Sequence, residues 1–233
     1  MMGGIPTNVH GQVLTQVKDG SEAVIENLYA VGECACVSVH GANRMGGNSL
    51  LDLIVFGRAA GLHAEDMIKK SLELKRAADS DIEASLARMQ RWNDTPKGEN
   101  PAKIKTEIQH VMQNDFGVFR TEEYMQKGLK KLDELRERLK YAALPDNSNV
   151  FNTARIEALE LDNLMSVAYA TAATDLARTE SRGAHSREDY PERDDANWLK
   201  HILYFEDDAR LSYKPVNLKP SILQAFEPKE RVY

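Results

Sequence analysis

The residues best equipped for chemistry sit in one stretch, His40-Gly41-Ala42-Asn43-Arg44-Met45-Gly46-Gly47-Asn48-Ser49-Leu50-Leu51-Asp52. Arg44 offers a planar guanidinium fork that can meet a carboxylate with two parallel hydrogen bonds. Gly46 and Gly47 carry no Cβ and tolerate positive φ, so backbone there can approach a flat ligand closely. Asn48 has the side chain of an N-cap for the apolar run that follows it. The N–H groups of Ser49 and Leu50 would then point out of a helix start. Such an end carries about half a positive charge and suits an anion or a carbonyl oxygen gaining charge. For His40 two roles stay open, a support for Arg44 or a loop histidine satisfied by its neighbours.

The elements around this stretch must position it. Residues 1 to 33 read as β-structure: Gly3-Gly4-Ile5-Pro6 is turn-like, and Val13-Leu14-Thr15 and Val24-Ile25 flank a Lys18-Asp19-Gly20-Ser21 hairpin signal. Leu28-Tyr29-Ala30-Val31 then reads as a short buried strand that meets a ligand at its C-terminal end, in Gly32-Glu33. An acidic residue there can accept hydrogen bonds from ribose hydroxyls, although Gly-Glu after a strand is a weak signal alone. After the loop, Asn48 to Lys69 predicts a helix with almost no polar face, its first half buried on most sides. Its polar continuation, Glu65 to Arg76, should emerge into solvent.

From Asp79 the pattern changes to amphipathic helices with clear punctuation. Ser80-Asp81-Ile82-Glu83 has the form of a capping box opening a helix toward Trp92. Asn100-Pro101 pairs an N-cap with proline at the first helical position, ahead of a stripe of Ile104, Ile108, Val111 and Met112. Thr121 opens the next helix, striped by Met125, Leu129, Leu132, Leu135 and Leu139, with a Glu/Lys/Arg face that reads as solvated rather than nucleic-acid-binding. A further helix spans Thr153 to Leu176, with Ile156, Leu159, Leu164, Met165, Tyr169 and Ala172 inward. Short loops between such helices make an antiparallel bundle. Charges crowd between Arg178 and Asp195. They read first as a mixed-sign network tying tail to bundle, with a subunit or assembly-factor contact as the functional alternative. His201 to Phe205 and Arg210 to Lys214 form a hairpin signal, and Pro215, Pro220 and Pro228 mark an extended tail.

Composition narrows the classes. Thirty basic residues against 36 acidic ones give a net charge of −6, which argues against a nucleic-acid surface but not against a local anion site. No apolar run reaches the ~18 residues of a membrane span, and the first residues lack the pattern of a signal peptide. The only two cysteines, Cys34 and Cys36, are too few for a zinc or iron–sulfur site, so no metal site is expected. The fold class is therefore mixed and mainly α. A partial α/β lobe of β hairpins plus a buried helix (1–76) precedes the helical bundle (77–182) and a tail with a β hairpin (183–233).

Val31-Gly32-Glu33, followed by the run from His40 through Asp52 to Gly61, resembles the flavoprotein subunit of succinate dehydrogenase and its relative fumarate reductase. The likeness continues through Arg178 to His185 and through Arg193-Asp194-Asp195 to Trp198-Leu199-Lys200-His201, so it covers nearly the whole chain. The resemblance implies oxidation of succinate to fumarate at FAD, with electrons passing through iron–sulfur clusters on another subunit to a quinone. It assigns Glu33 to FAD, Arg44 to a substrate carboxylate, and the Ser49 and Leu50 N–H groups to the flavin's pyrimidine edge. It also implies an iron–sulfur subunit, membrane-anchor subunits and a flavinylation assembly factor as partners. The place would be the cytoplasmic face of a bacterial inner membrane or the matrix side of a mitochondrial one.

Several family parts are not in this sequence: the glycine-rich fingerprint for the ADP half of FAD, the histidine of covalent flavin attachment, and the proton-shuttling arginine. No catalytic residue is therefore assigned within the chain. The expectation is the C-terminal portion of a larger flavoprotein, ending at Tyr233, which alone binds FAD weakly or not at all and shows no turnover. Fumarate reductase is the runner-up, L-aspartate oxidase a more distant relative, and a helical subunit-docking module without its own catalysis the reading from another class.

Overall fold

The computed structural model describes residues 3–226 except 19, 71–75, 96, 147 and 149. The first lobe is built on short β-structure. Strands β2 (Gln12–Gln16) and β3 (Glu22–Tyr29) pair antiparallel around the expected turn, while β1 (Ile5–Pro6) pairs parallel with β4 (Ala35–Cys36). Thr7 bridges Val13 and joins the two pairs into one small platform. The expected burial of Leu28 to Val31 holds only at Ala30: β3 ends at Tyr29, and both Leu28 and Val31 are exposed. The cause is that β3 has a strand on one edge only, and no layer of the described residues covers its outer face.

Helix α1 spans Asn48–Lys69, as its spacing predicts, but it is not buried. Leu50 and Ile54 are 66% and 68% exposed, and Ala60 is its only buried residue. A helix apolar all round needs neighbours on several sides, and the described chain supplies one, the 3-10 turn Gly32–Cys34 and the platform behind it. The polar stretch from Glu65 to Arg76 is only partly described, because residues 71–75 lie outside the described set.

The bundle carries the main core. Helices α3 (Pro101–Asp115), α4 (Glu122–Leu139) and α5 (Thr153–Ala177) close around Ile104, Ile108, Met125, Leu132 and Leu161. Their starts are capped by side chains: Asn100 accepts from Ala102 N–H, Thr121 from Tyr124 N–H and Asn152 from Arg155 N–H. Helix α2 (Asp79–Asp94) departs from expectation. It begins two residues early with Ala78 at the cap and no side-chain bond, so the Ser80–Glu83 box does not form. Asp79 and Asp81 complement the positive end of the first turn instead. Ile156, expected inward, is 56% exposed. Apolar residues occur on almost every turn of α5, so two faces compete. The face carrying Ala158, Leu161, Met165, Ala168 and Ala172 is the one buried, because small residues let the helix approach its neighbours.

The short helix α6 (Asp195–Trp198) leads into the hairpin β5 (Lys200–Phe205) and β6 (Arg210–Pro215). This hairpin joins both halves. Ser166 on α5 donates to Glu206 at 2.6 Å, and Lys214 pairs with Glu22 on β3 at 2.6 Å. Residues 216–226 run without regular structure, with Ile222, Leu223 and Phe226 exposed, and Pro228 lies outside the described residues. Among the described residues no helix is long and apolar enough to cross a membrane.

Candidate functional site

The loop between β4 and α1 is shaped by residues in the left-handed region: Ser38 at φ 69°, Gly41 at 63° and Gly47 at 83°. Gly47, not Asn48, is the N-cap, and Asn48 is the first helical residue. The left-handed turn at Gly47 is a conformation that asparagine adopts far less readily than glycine. No side chain caps this end. Asn48 N–H donates back to Met45 C=O at 3.1 Å, and Leu50 N–H makes a long bond of 3.3 Å to Gly47 C=O, so Leu50 is less free than its position suggests. Ser49 N–H has no such bond among the described residues.

Arg44 and Glu33 are brought together. Arg44 Nη1 and Nη2 donate to Glu33 Oε2 and Oε1 at 3.0 and 2.8 Å, a two-pronged pair. The Arg44 side chain is 28% exposed and that of Glu33 is 75% exposed. The hydrogen bonds and then the charge of Arg44 hold the Glu33 carboxyl below its ordinary value, and the same pairing pushes the Arg44 guanidinium up. His40 takes the local role. Its Nε2 meets Asp52 Oδ2 at 2.6 Å, with both side chains mostly buried, while the Arg44 fork bonds Glu33 instead.

Asp52 and Gly183 are partners that sequence reasoning missed. Ala184 N–H donates to Ala42 C=O at 2.9 Å, bringing the charged segment beneath the loop. That segment is a structural network. Glu180 is fully buried and accepts from Arg178 at 2.6 Å, from Arg182 at 2.8 and 2.9 Å, and from Asp194 N–H at 2.8 Å. Arg187, also buried, grips Asp189 with two prongs, and Asp189 in turn accepts from Glu122 N–H at the start of α4. The Glu/Ser/Arg/His spacing announced this density of charge, but not which group would be buried.

The loop fits the edge of a flat cofactor. A Cβ placed at Gly46 or Gly47 would meet nothing within 4 Å, so the backbone faces open space. Glu33 retains free lone pairs for ribose hydroxyls, and the uncapped helix end presents the Ser49 N–H. Cys34 and Cys36 are unlinked thiols, and among the described residues no cluster of His, Cys, Asp and Glu could hold a metal ion. Two clefts of about 440 and 280 Å³ lie in the helical region, beside Leu86 and Met89 and beside Arg136 and Tyr169, away from the loop.

Known proteins resemble the chain along its length. The family described as fumarate reductase flavoprotein C-term matches residues 105–233, and an FAD binding domain family matches residues 1–50. A succinate dehydrogenase flavoprotein subunit of Coxiella burnetii is 58% identical over 99% of this chain and 39% of its own length. A fumarate reductase flavoprotein subunit of Escherichia coli is 42% identical over 100% of the chain and 37% of its own length. Among solved structures, an E. coli quinol fumarate reductase mutant superposes with a TM-score of 0.83 at 39% identity, covering 96% of this chain and 37% of that one. The chain thus spans about two fifths of the length of the curated relatives it matches. It belongs to the succinate dehydrogenase and fumarate reductase flavoprotein family, of which it carries the C-terminal region.

Proposed function

We propose that this chain forms one wall of the active site in the FAD-containing subunit of a succinate:quinone oxidoreductase. The observation that carries the reading is the Arg44 fork, which rises from a glycine-rich turn and already holds a carboxylate, that of Glu33, with two prongs. In the whole protein the same fork clamps a carboxylate of succinate and fixes its central C–C bond for reaction. Positioning of this kind supplies several kcal/mol of rate enhancement, about 7–11 kcal/mol at the limit. Glu33 then turns to ribose hydroxyls. Ser49 N–H, with Leu50 N–H as a shared donor, faces the pyrimidine edge, where negative charge builds on reduction. FAD, when bound, supplies the hydride acceptor and the route for electrons toward iron–sulfur clusters on another subunit.

The 58% identity to the Coxiella succinate dehydrogenase relative, against 42% to the E. coli fumarate reductase one, favours the dehydrogenase branch of the family. The partners that follow are the iron–sulfur subunit, the membrane-anchor subunits reached through it and a flavinylation assembly factor. The subunit sits peripherally, on the cytoplasmic side of a bacterial inner membrane or the matrix side of a mitochondrial one. The test is flavin absorbance together with succinate-dependent dye reduction, measured on the full-length flavoprotein and on residues 1–233 alone. The full-length protein should show both and the shorter chain neither. A full-length protein with neither would overturn the reading and leave a helical docking module.

A further inference from the structure

We infer that Asp52 and the turn 182–185 are positioning elements for the Arg44 loop, Asp52 acting through His40 and the turn acting through Ala42. The inference rests on Arg44 being the carboxylate clamp proposed above. A loop without regular structure holds a side chain to clamping accuracy only if its own backbone is fixed by outside partners. Residues 37–47 have no strand or helix to fix them. Ser38 Oγ meets His201 at the start of the loop, and two further contacts lie within four residues of Arg44.

The first is the His40–Asp52 pair at 2.6 Å, whose side chains are 21% and 14% exposed. Asp52 stands in the second turn of α1, so the pair ties the loop's entry to the helix that follows its exit. The second is Ala184 N–H on Ala42 C=O at 2.9 Å. The turn that supplies it is closed by reciprocal backbone bonds between Arg182 and His185, of 2.7 and 3.0 Å. It is braced from below, because Arg182 is held by the buried Glu180 and by Asp195, while His185 lies against Arg120, Asp175 and the Arg178 carbonyl. Gly183 has φ of 60°, and a Cβ there would overlap the Ala42 carbonyl. Glycine is thus required both by conformation and by the closeness of the loop. The path runs from the bundle through a buried ion cluster to the backbone two residues before Arg44.

The test uses the full-length flavoprotein and the variants Asp52→Ala, Asp52→Glu, Gly183→Ala and Arg44→Ala. It reads succinate KM and kcat, the malonate inhibition constant, flavin content and melting temperature. Asp52→Ala and Gly183→Ala should raise succinate KM and the malonate constant about tenfold or more, since an ~1 Å misplacement costs about a hundredfold in rate, while flavin content holds. Asp52→Glu should restore most of the loss. Wild-type KM and malonate binding in Asp52→Ala, beside a clear loss in Arg44→Ala, would overturn the inference alone. If Gly183→Ala does not fold, the Asp52 pair decides. An Arg44→Ala protein with unchanged KM would remove the clamp itself and the inference with it.

Discussion

At the residue scale the chain concentrates opposite charges where one member is buried. Glu180 shows the balance most clearly. Burial alone would raise its pKa, but hydrogen bonds from Arg182, Asp194 N–H and Arg178 outweigh that and leave it below the ordinary glutamate value. Because the folded pKa is depressed, the stability it contributes is complete above about 4.5 and is lost as pH falls through the folded value. Glu180→Ala leaves two guanidinium groups without their shared partner, which should cost about 3–5 kcal/mol and lower the thermal unfolding temperature. A melting temperature within a degree or so of wild type would show that water replaces the carboxylate. The sequence announced the charges between Arg178 and Asp195 and the fork of Arg44. It did not announce the pairings, since Glu180, Glu188 and Glu192 are equivalent by type and only tertiary packing chooses which is buried.

At the element scale, legibility followed punctuation. The starts of helices α3 and α4 were readable to the residue because Asn100-Pro101 and Thr121 are caps whose side chains do what their types suggest. Thr121→Ala should cost about 1 kcal/mol, read as a lower urea midpoint at unchanged slope. The start of α2 was misread because Ser80 competes with Asp79 for the first turn. On α5 only Ile156 was misplaced, on a helix apolar on too many sides, while Leu159, Leu164, Met165, Tyr169 and Ala172 do pack into the core. Gly128 in α4 escaped notice altogether, being a poor helix former in the middle of a helix. The structure gives its reason: a Cβ there would stand 2.5 Å from Phe116 Cε2 and 2.6 Å from Asp115 Cβ, where α4 crosses the end of α3. Gly128→Ala should therefore destabilise by about 1–3 kcal/mol, against the gain of about 1 kcal/mol that helix propensity predicts. Denaturant unfolding of the two proteins gives the sign.

At the scale of the whole molecule, the C-terminal hairpin couples the lobe to the bundle, and its histidine makes the coupling sensitive to pH. His201 lies on β5 with Ser38 Oγ 2.7 Å from its Nε2. Burial first, then the charges of Lys214 and Arg178, push its pKa below the ordinary 6.5. The folded chain thus holds fewer protons here than the unfolded one, so the stability involved is complete above about 6.5 and falls as pH drops toward the folded value. Melting temperature should decline between about pH 7 and pH 5.5, and His201→Asn should flatten that decline; an equal slope in the variant would exclude this histidine as its source. The exposed apolar sides of α1 belong to this scale too. The residue pattern asked for neighbours on several sides, and the described chain provides one of them. That Arg44 clamps a substrate carboxylate is a claim that steady-state kinetics of Arg44→Ala in the full-length flavoprotein can decide. Succinate turnover and malonate inhibition should fall by about a hundredfold or more with flavin content near that of wild type; unchanged succinate kinetics would contradict the claim.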